Sequence, residues 1–409
     1  PEQRKNLLPL TYTRPIAEFR CGIYTLSEKW SERGQKTSFL TEEYLSDKYP
    51  ANYSDDNFYI NGATLYTSDI WDKIKSLSDG EGIEYEGEII ALRTFEKLNY
   101  NFDFSKFKNQ QSTIKINFIN NVWDIFKLNG QEIKNDFNWI SAKGNSKEIN
   151  DKHTIVYCSE NIFIEEGAKI KAAILNAEDG PIYIGKNAEI QEGSLIKGPF
   201  AICESGVVNM GAKMRGDNTV GPFSKVGGEI SNSVIFGFSN KGHDGFLGNS
   251  VIGEWCNLGA DTNTSNLKNN YADVKLWNYE KGGFKDTKEQ FCGLIMGDHS
   301  KCGINTMFNT GTVIGVSSNI FGSGFPRNFI PSFAWGGASG FTTFQTRKAY
   351  EVAEKVAIVL GTFAWGFVDQ ITGSMRNGIV VLMVFFIVGI VIMLFLKSDK
   401  LQAQKSVNS

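Results

Sequence analysis

Between Ile235 and Asn266 the chain reads IFGFSNKGHDGFLGNSVIGEWCNLGADTNTSN. His243, one of three histidines in 409 residues, stands there in a glycine-flanked turn, followed by a dense set of Asn, Asp, Thr and Gly. An imidazole with a pKa of about 6.5 can take a proton at neutral pH, the task of a general base. The same ring in an ordinary loop would only be solvated. Which of the two holds depends on the backbone that carries it.

That backbone keeps a six-residue beat. From Ile184 an aliphatic residue recurs at Ile190, Ile196, Ile202, Val208, Met214, Val220 and Val226. Small residues stand four places after most of them, at Ala188, Ser194, Gly206, Ala212 and Ser224. The beat returns with Met296, Cys302, Phe308, Ile314 and Ile320. Helices repeat every 3.6 residues and strands every two, so neither explains a six. A triangular parallel β-helix does, with one inward aliphatic per flat side and a small residue at each corner. Between about Gly227 and Phe291 the beat fails, with a short recovery at Ile252 and Leu258. His243 is therefore expected on a loop leaving a rigid stack of coils, where function tends to be carried.

Net charge is −3 with Lys and Arg scattered, so nucleic acid is not an expected partner. The six cysteines form no C-x-x-C pair and read as reduced thiols in a reducing compartment. No signal peptide reads at the start, and the first residue is Pro1. His299, in MGDHSKCG, reads as a coil-edge residue, and His153 as solvent-exposed at a junction. One segment differs from the rest. Residues 378–396, GIVVLMVFFIVGIVIMLFL, carry no charge and are flanked by Arg376, Lys397 and Lys400, which predicts a transmembrane helix.

The stretch GGEISNSVIFGFSNKGHDGFLGNSVIGEWCNLGADTNTSNL resembles the acetyltransferase half of the GlmU-like bifunctional sugar-1-phosphate enzymes. Glu229, His243, Phe246, Gly248, Asn249, Ile252, Gly253, Asn257, Gly259, Ala260, Thr262 and Asn266 fill its pattern. The resemblance implies a left-handed β-helix, a homotrimer, and acetyl transfer from acetyl-coenzyme A to an amino-sugar phosphate. It makes His243 the general base, Glu229 the carboxylate that orients it, and Asn266 an oxyanion donor. Asn257 and Lys275, with Phe246 and Lys241, fall to the sugar phosphate. Ala260, Gly303, Ile304 and Gly322 fall to coenzyme A. Phe246 replaces the usual tyrosine, and Ser231 and Gly227 replace a lysine and an arginine, which leaves the sugar open.

At the front, RKNLLPLTYTRPIAEFRCG (residues 4–22) resembles a worn sugar nucleotidyltransferase signature. Ile16 stands at the place of the phosphate-binding lysine, and the glycine loop is absent. NNVWDIFKLNGQEIKNDF (120–137) resembles the segment that closes that domain. The resemblance implies an α/β, Rossmann-like fold over residues 1–155, with Arg4, Thr11, Arg14 and Arg20 as remnants of a nucleotide site. Mg²⁺ enters only if this domain is active. No metal ligands are assigned, and Asp124 is the one carboxylate considered. The β-helix is expected over 156–337, a helix over 338–356, and a membrane segment over 357–409. This last stretch resembles the end of a major facilitator transporter; a membrane tether and a gene fusion both fit, fusion being favoured. The enzyme domains are expected in the cytoplasm. Nucleotidyl transfer to a sugar 1-phosphate and a non-catalytic trimeric scaffold are the alternatives to acetyl transfer.

Overall fold

Short parallel strands recur from Ile155–Tyr157 to Ala334–Gly337 and wind the chain into a three-sided prism. The computed structural model describes residues 2–345 with 347, 348, 350 and 351. Among these, six strands make the first face, nine the second and ten the third. Neighbouring coils pair in register, so one inward position lies over the next. On the second face the column runs from Ile164 through Ile202, Ile235 and Met296 to Ile330. These side chains are nearly all buried, each burial being worth roughly 1.5–3 kcal/mol. No single coil could hide them alone.

The corners take unusual backbone. Asn187, Ser205, Phe223, Phe238, Trp255, His299, Ser317 and Phe333 all have φ between 51° and 61°. They occupy the same corner of successive coils, where the chain turns from the second face to the third. Stacking continues outside: Phe238 lies 4.6 Å from Trp255 and Trp255 6.2 Å from His299, with ring planes nearly parallel. His299 is thus a coil-edge residue, as its place in the beat suggested.

The prism does not stop where the beat fails. Inward positions continue at Ile230, Ile235, Lys241, Leu247, Ile252, Leu258 and Thr264, at steps of four, five or six residues from Val226. Two causes hide them from a strict count of six. The Gly227–Gly228 corner is shortened: Gly228 has φ +73°, and a Cβ on Gly227 would meet the Gly242 carbonyl oxygen at 2.3 Å. A charged residue, Lys241, also takes an aliphatic's place. The expected loop from Gly227 is therefore corrected to a later excursion, which leaves after Thr264 and returns by Leu294. It carries an antiparallel hairpin, Lys275–Asn278 with Gly283–Asp286.

The front segment is α/β: α1 (Glu2–Asn6), α2 (Leu26–Ser31), α3 (Glu43–Ser46), β1 (Asn57–Ile60), α4 (Ser68–Lys75), β2 (Glu81–Tyr85), β3 (Glu88–Thr94), β4 (Lys108–Gln111) and α5 (Asp124–Lys143). The Rossmann-like sheet expected here is not what forms. The order is β1-β3-β2-β4, with β1/β3 and β2/β3 antiparallel and only β2/β4 parallel. The reason is local: Glu86 and Gly87, both at positive φ, close β2 onto β3 as a hairpin. A parallel pair would need a crossover of a dozen or more residues.

This segment lies on the outer side of the second face. Helix α5 turns Ile133, Phe137 and Ile140 onto Phe163, Tyr183 and Ala201. A Cβ on Gly130 would fall 1.9 Å from Asp217 Oδ1, so the helix backbone packs directly against that side chain. Strands of the second face are accordingly buried on both sides and read as apolar runs rather than alternating ones. Residues 1–344 form one compact unit and 345–409 a second. The helix expected from 338 is corrected at its start: Gly340–Thr343 is a strand that pairs antiparallel with Ala334–Gly337. Its aromatic and β-branched residues, FTT, favour extended backbone. Residues 347, 348, 350 and 351 are helical. The transmembrane helix expected over 378–396 lies outside the described residues.

Arg14 ties the front segment to the prism. Its Nη1 donates to Glu254 at 2.8 Å and its Nη2 to Asp298, with both Arg14 and Asp298 almost fully buried. Removing one member of such a pair leaves an uncompensated buried charge, at a cost of about 3–5 kcal/mol. Arg14→Ala should lower unfolding stability by that order in urea titration, and Arg14→Met combined with Asp298→Asn should recover much of it.

Candidate active site

His243 sits at the corner between the third and first faces, after Asn240–Lys241 and before Phe246–Gly248. The corner is stitched on both sides. Asn209 donates to the Gly242 carbonyl at 2.7 Å, Glu229 N to the Gly245 carbonyl at 3.1 Å, and Asp261 N to the Asp244 carbonyl at 3.1 Å. Gly245 has φ +113°, and a Cβ there would reach the Thr262 carbonyl oxygen at 2.2 Å, so only glycine fits. The imidazole itself is exposed and makes no hydrogen bond among the described residues. His243 therefore rides on a coil corner, not on a departing loop.

The residues expected around it fall into three groups. Glu229 and Phe246 share the first face as direct register partners, one coil apart. Phe246 and the Asn266 amide converge over Gly248, where a Cβ would lie 2.6 Å from each. The Asn266 amide donates to Asn249 at 2.8 Å. Asn257 lies around the corner on the third face, paired with Asn240 through a 2.8 Å side-chain bond. Ala260, Gly303 and Ile304 form the second group, and they occupy the His243 corner in the coils above. Asn305 N donates to the Ala260 carbonyl at 2.8 Å, and Ile304 is 70% exposed. Gly322 starts the loop that follows Asn319–Ile320 on the same side.

The third group is placed elsewhere. Lys241 points into the prism and is 1% exposed, so it presents no ammonium to a surface substrate. Lys275 opens the hairpin opposite Asp286 and is exposed. Glu229 is held by a different partner than the imidazole: its Oε1 accepts from Arg215 at 2.8 Å. Sequence reasoning missed Arg215 and Asn209. Both lie one residue after an on-beat aliphatic, Met214 and Val208, a signal too common to single them out.

The nucleotide-site remnants all serve the fold. Arg14 is engaged with Glu254 and Asp298; burial works against its charge, but the two carboxylates outweigh it and raise its pKa. Arg20 donates to the Ile23 carbonyl and, at 3.3 Å, to Glu28. Arg4 donates to the Thr11 carbonyl at 2.8 Å and to Tyr44, and the Thr11 hydroxyl returns a bond to the Arg4 carbonyl at 2.9 Å. Asp124 accepts from the Asn120 and Asn121 amides at 3.0 and 2.8 Å. His153 is exposed, and the six cysteines are free.

Residues 1–145 match the family described as "Sugar nucleotidyl transferase", and residues 349–406 the family described as "Vacuole effluxer Atg22 like". Among curated proteins the chain is similar to the "Bifunctional protein GlmU" of Methanocaldococcus jannaschii, 34% identical over 87 residues, 21% of either chain. It is also similar to that of Methanococcus aeolicus, 36% over 90 residues, covering 22% of this chain and 21% of the relative. The "Bifunctional sugar-1-phosphate nucleotidylyltransferase/acetyltransferase" of Sulfurisphaera tokodaii is 33% identical over 100 residues, 24% of each. The chain thus spans about a fifth to a quarter of the length of these relatives. Solved structures align more loosely. The polySia specific acetyltransferase NeuO has TM-score 0.25 at 14% identity, over 47% of this chain and 82% of that one. The N-acyltransferase AntD of Bacillus cereus has TM-score 0.22 at 16% identity, over 53% and 100%. At these scores neither adds to the fold described above.

Burial lowers Lys241 from the ordinary 10.5 to about 8, with Asp244 the chief charge opposing the shift. An unfolded lysine keeps its proton up to the higher value, so between the two pH values the unfolded chain binds more protons than the folded one. This group therefore makes stability rise with pH across that window. Buried thiols such as Cys203 and Cys256 titrate in the same range with the opposite sign, so the Lys241 contribution is read as a difference: the wild-type minus Lys241→Met denaturation midpoint should become more positive between pH 7.5 and pH 9.5.

Proposed function

We propose that this chain is a transferase that moves the acetyl group of acetyl-coenzyme A onto the amine of an amino-sugar 1-phosphate, with His243 as general base. The observation that carries the reading is the alignment of one corner. His243, Ala260 and Ile304 stand on successive coils of the same edge, base and coenzyme candidates in one file.

The chemistry follows from these positions. An ammonium has no lone pair, so the amine must lose a proton as it attacks the thioester carbonyl. His243 takes that proton and returns it to the coenzyme A thiolate as the carbon–sulfur bond breaks. The tetrahedral oxyanion needs donors set in advance, a role given to Asn266, whose amide is already anchored by Asn249. Phe246 forms an apolar wall beside it. Arg215, 64% exposed on the first face, offers a guanidinium for the sugar phosphate, which would compete with Glu229 for it. Freed of Arg215, Glu229 would become available to orient the imidazole. Asn257 reaches the sugar from the third face. Met210, 71% exposed, and Ile304, 70% exposed, leave apolar surface on this edge, which a homotrimer would cover.

Nucleotidyl transfer by the front segment is a second reading, favoured by the family match of residues 1–145. The residues present do not fit a Mg²⁺ site there: Asp124 is engaged by backbone amides, and no group of three or more His, Cys, Asp or Glu converges among the described residues. We therefore assign the front segment a structural role, and no reaction step passes through the ion. If residues 378–396 anchor the chain in a membrane, the catalytic edge belongs on the cytoplasmic side, where the thioester is.

The test supplies glucosamine 1-phosphate or galactosamine 1-phosphate with acetyl-coenzyme A and follows free thiol. Thiol release that falls about 10²- to 10⁴-fold in His243→Ala supports acetyl transfer. Pyrophosphate released from UTP or dTTP with a sugar 1-phosphate supports the second reading instead. Silence in both assays from intact trimers leaves a non-catalytic scaffold.

A further inference from the structure

One charged side chain lies where the prism calls for an aliphatic one. On the third face Lys241 is the register partner of Val226, in the column that holds Ile190 and Val208 below and Leu258 above. Its side chain is 1% exposed. A lysine so placed needs partners for its ammonium. It finds two in the corner that bears the imidazole: Nζ donates to the His243 carbonyl at 2.5 Å and to the Asp244 carbonyl at 3.0 Å. The Asp244 carbonyl also accepts from Asp261 N, whereas Lys241 is the only donor to the His243 carbonyl among the described residues.

Both carbonyls belong to exposed residues. Without the Lys241 ammonium the His243 carbonyl would be left with no donor on the dry side and would gain by rotating its peptide plane toward water, while the Asp244 carbonyl would keep Asp261 N alone. Rotation of the peptide that follows His243 also turns its Cα–Cβ bond. We infer that Lys241 is a positioning residue: its buried ammonium pulls the His243 and Asp244 carbonyls inward and so fixes the direction in which the His243 imidazole leaves the corner. The inference rests on the reading of His243 as the base, and it gives an aliphatic column its charged member for a reason other than stability.

Lys241→Met keeps the length and fills the column with an apolar stem, so the prism should persist. Two readouts separate geometry from chemistry. Amide hydrogen exchange reports the corner directly, because Asp261 N and Glu229 N donate to the carbonyls of Asp244 and Gly245. Their exchange should quicken about tenfold or more, while Asn305 N, which donates to Ala260, keeps its rate. In the acetyl-transfer assay kcat should fall roughly 10- to 100-fold, with KM for acetyl-coenzyme A within about twofold, as expected for a misplaced base. Lys241→Gln, which keeps a donor at shorter reach, should recover part of both effects and serves if the methionine variant folds poorly. Unchanged Asp261 protection in both variants would overturn the inference. So would full activity in Lys241→Met alongside an inactive His243→Ala. A fully active His243→Ala would instead refute the assignment of the base, and the exchange result would still decide whether Lys241 holds the corner.

Discussion

The structure depends on one constraint: coils of this prism pair in parallel, in register, around an interior one side chain deep. Each face can therefore contribute one inward group per coil, and each corner must turn within three or four residues. That requirement explains the left-handed backbone at Asn187, Ser205, Phe223, Phe238, Trp255, His299, Ser317 and Phe333. It also explains the glycines that cannot carry a Cβ at 227 and 245. Groups available for chemistry are pushed outward onto edges, and edges of successive coils superpose. His243, Ala260 and Ile304 lie in one file for that reason, although 61 residues separate the first from the last.

The same constraint decides how the front segment is used. A second face lined outside by Phe163, Tyr183, Phe236 and Val313 cannot stay in water, and α5 with the residues around Leu7 and Leu10 covers it. The arginines expected to meet a nucleotide hold this cover in place: Arg14 by Glu254 and Asp298, Arg20 beside Cys203. A segment that matches a sugar nucleotidyltransferase family thus has its signature side chains committed to the fold.

Legibility of the sequence followed spacing. Where the beat was strict, from Ile184 to Val226 and from Met296 to Ile320, the prism was read residue by residue. It is lost from Gly227 to Thr264 because three corners are shortened, before Ile230, Ile235 and Ile252, and Lys241 breaks the hydropathy of its column, features that a count of six cannot absorb. In the front segment the stretch SDIWDKIK carries the helical spacing of the element it forms, with Ile70 and Ile74 on one buried side, but the antiparallel sheet has no such local signal, because strand pairing is non-local. At the site, residue types were legible and partners were not. Glu229 and His243 were expected to face each other, yet Arg215 lies one coil below and takes the carboxylate. Lys241 is expected at the sugar phosphate by resemblance, and only the register places it inside.

The most direct test is a crystal structure of the protein with coenzyme A and glucosamine 1-phosphate bound together. The account predicts the sugar amine about 3 Å from a ring nitrogen of His243, with the coenzyme running along the edge formed by Ala260 and Ile304. Ligands seated on another face, or an imidazole that remains in open water with both ligands in place, would contradict it.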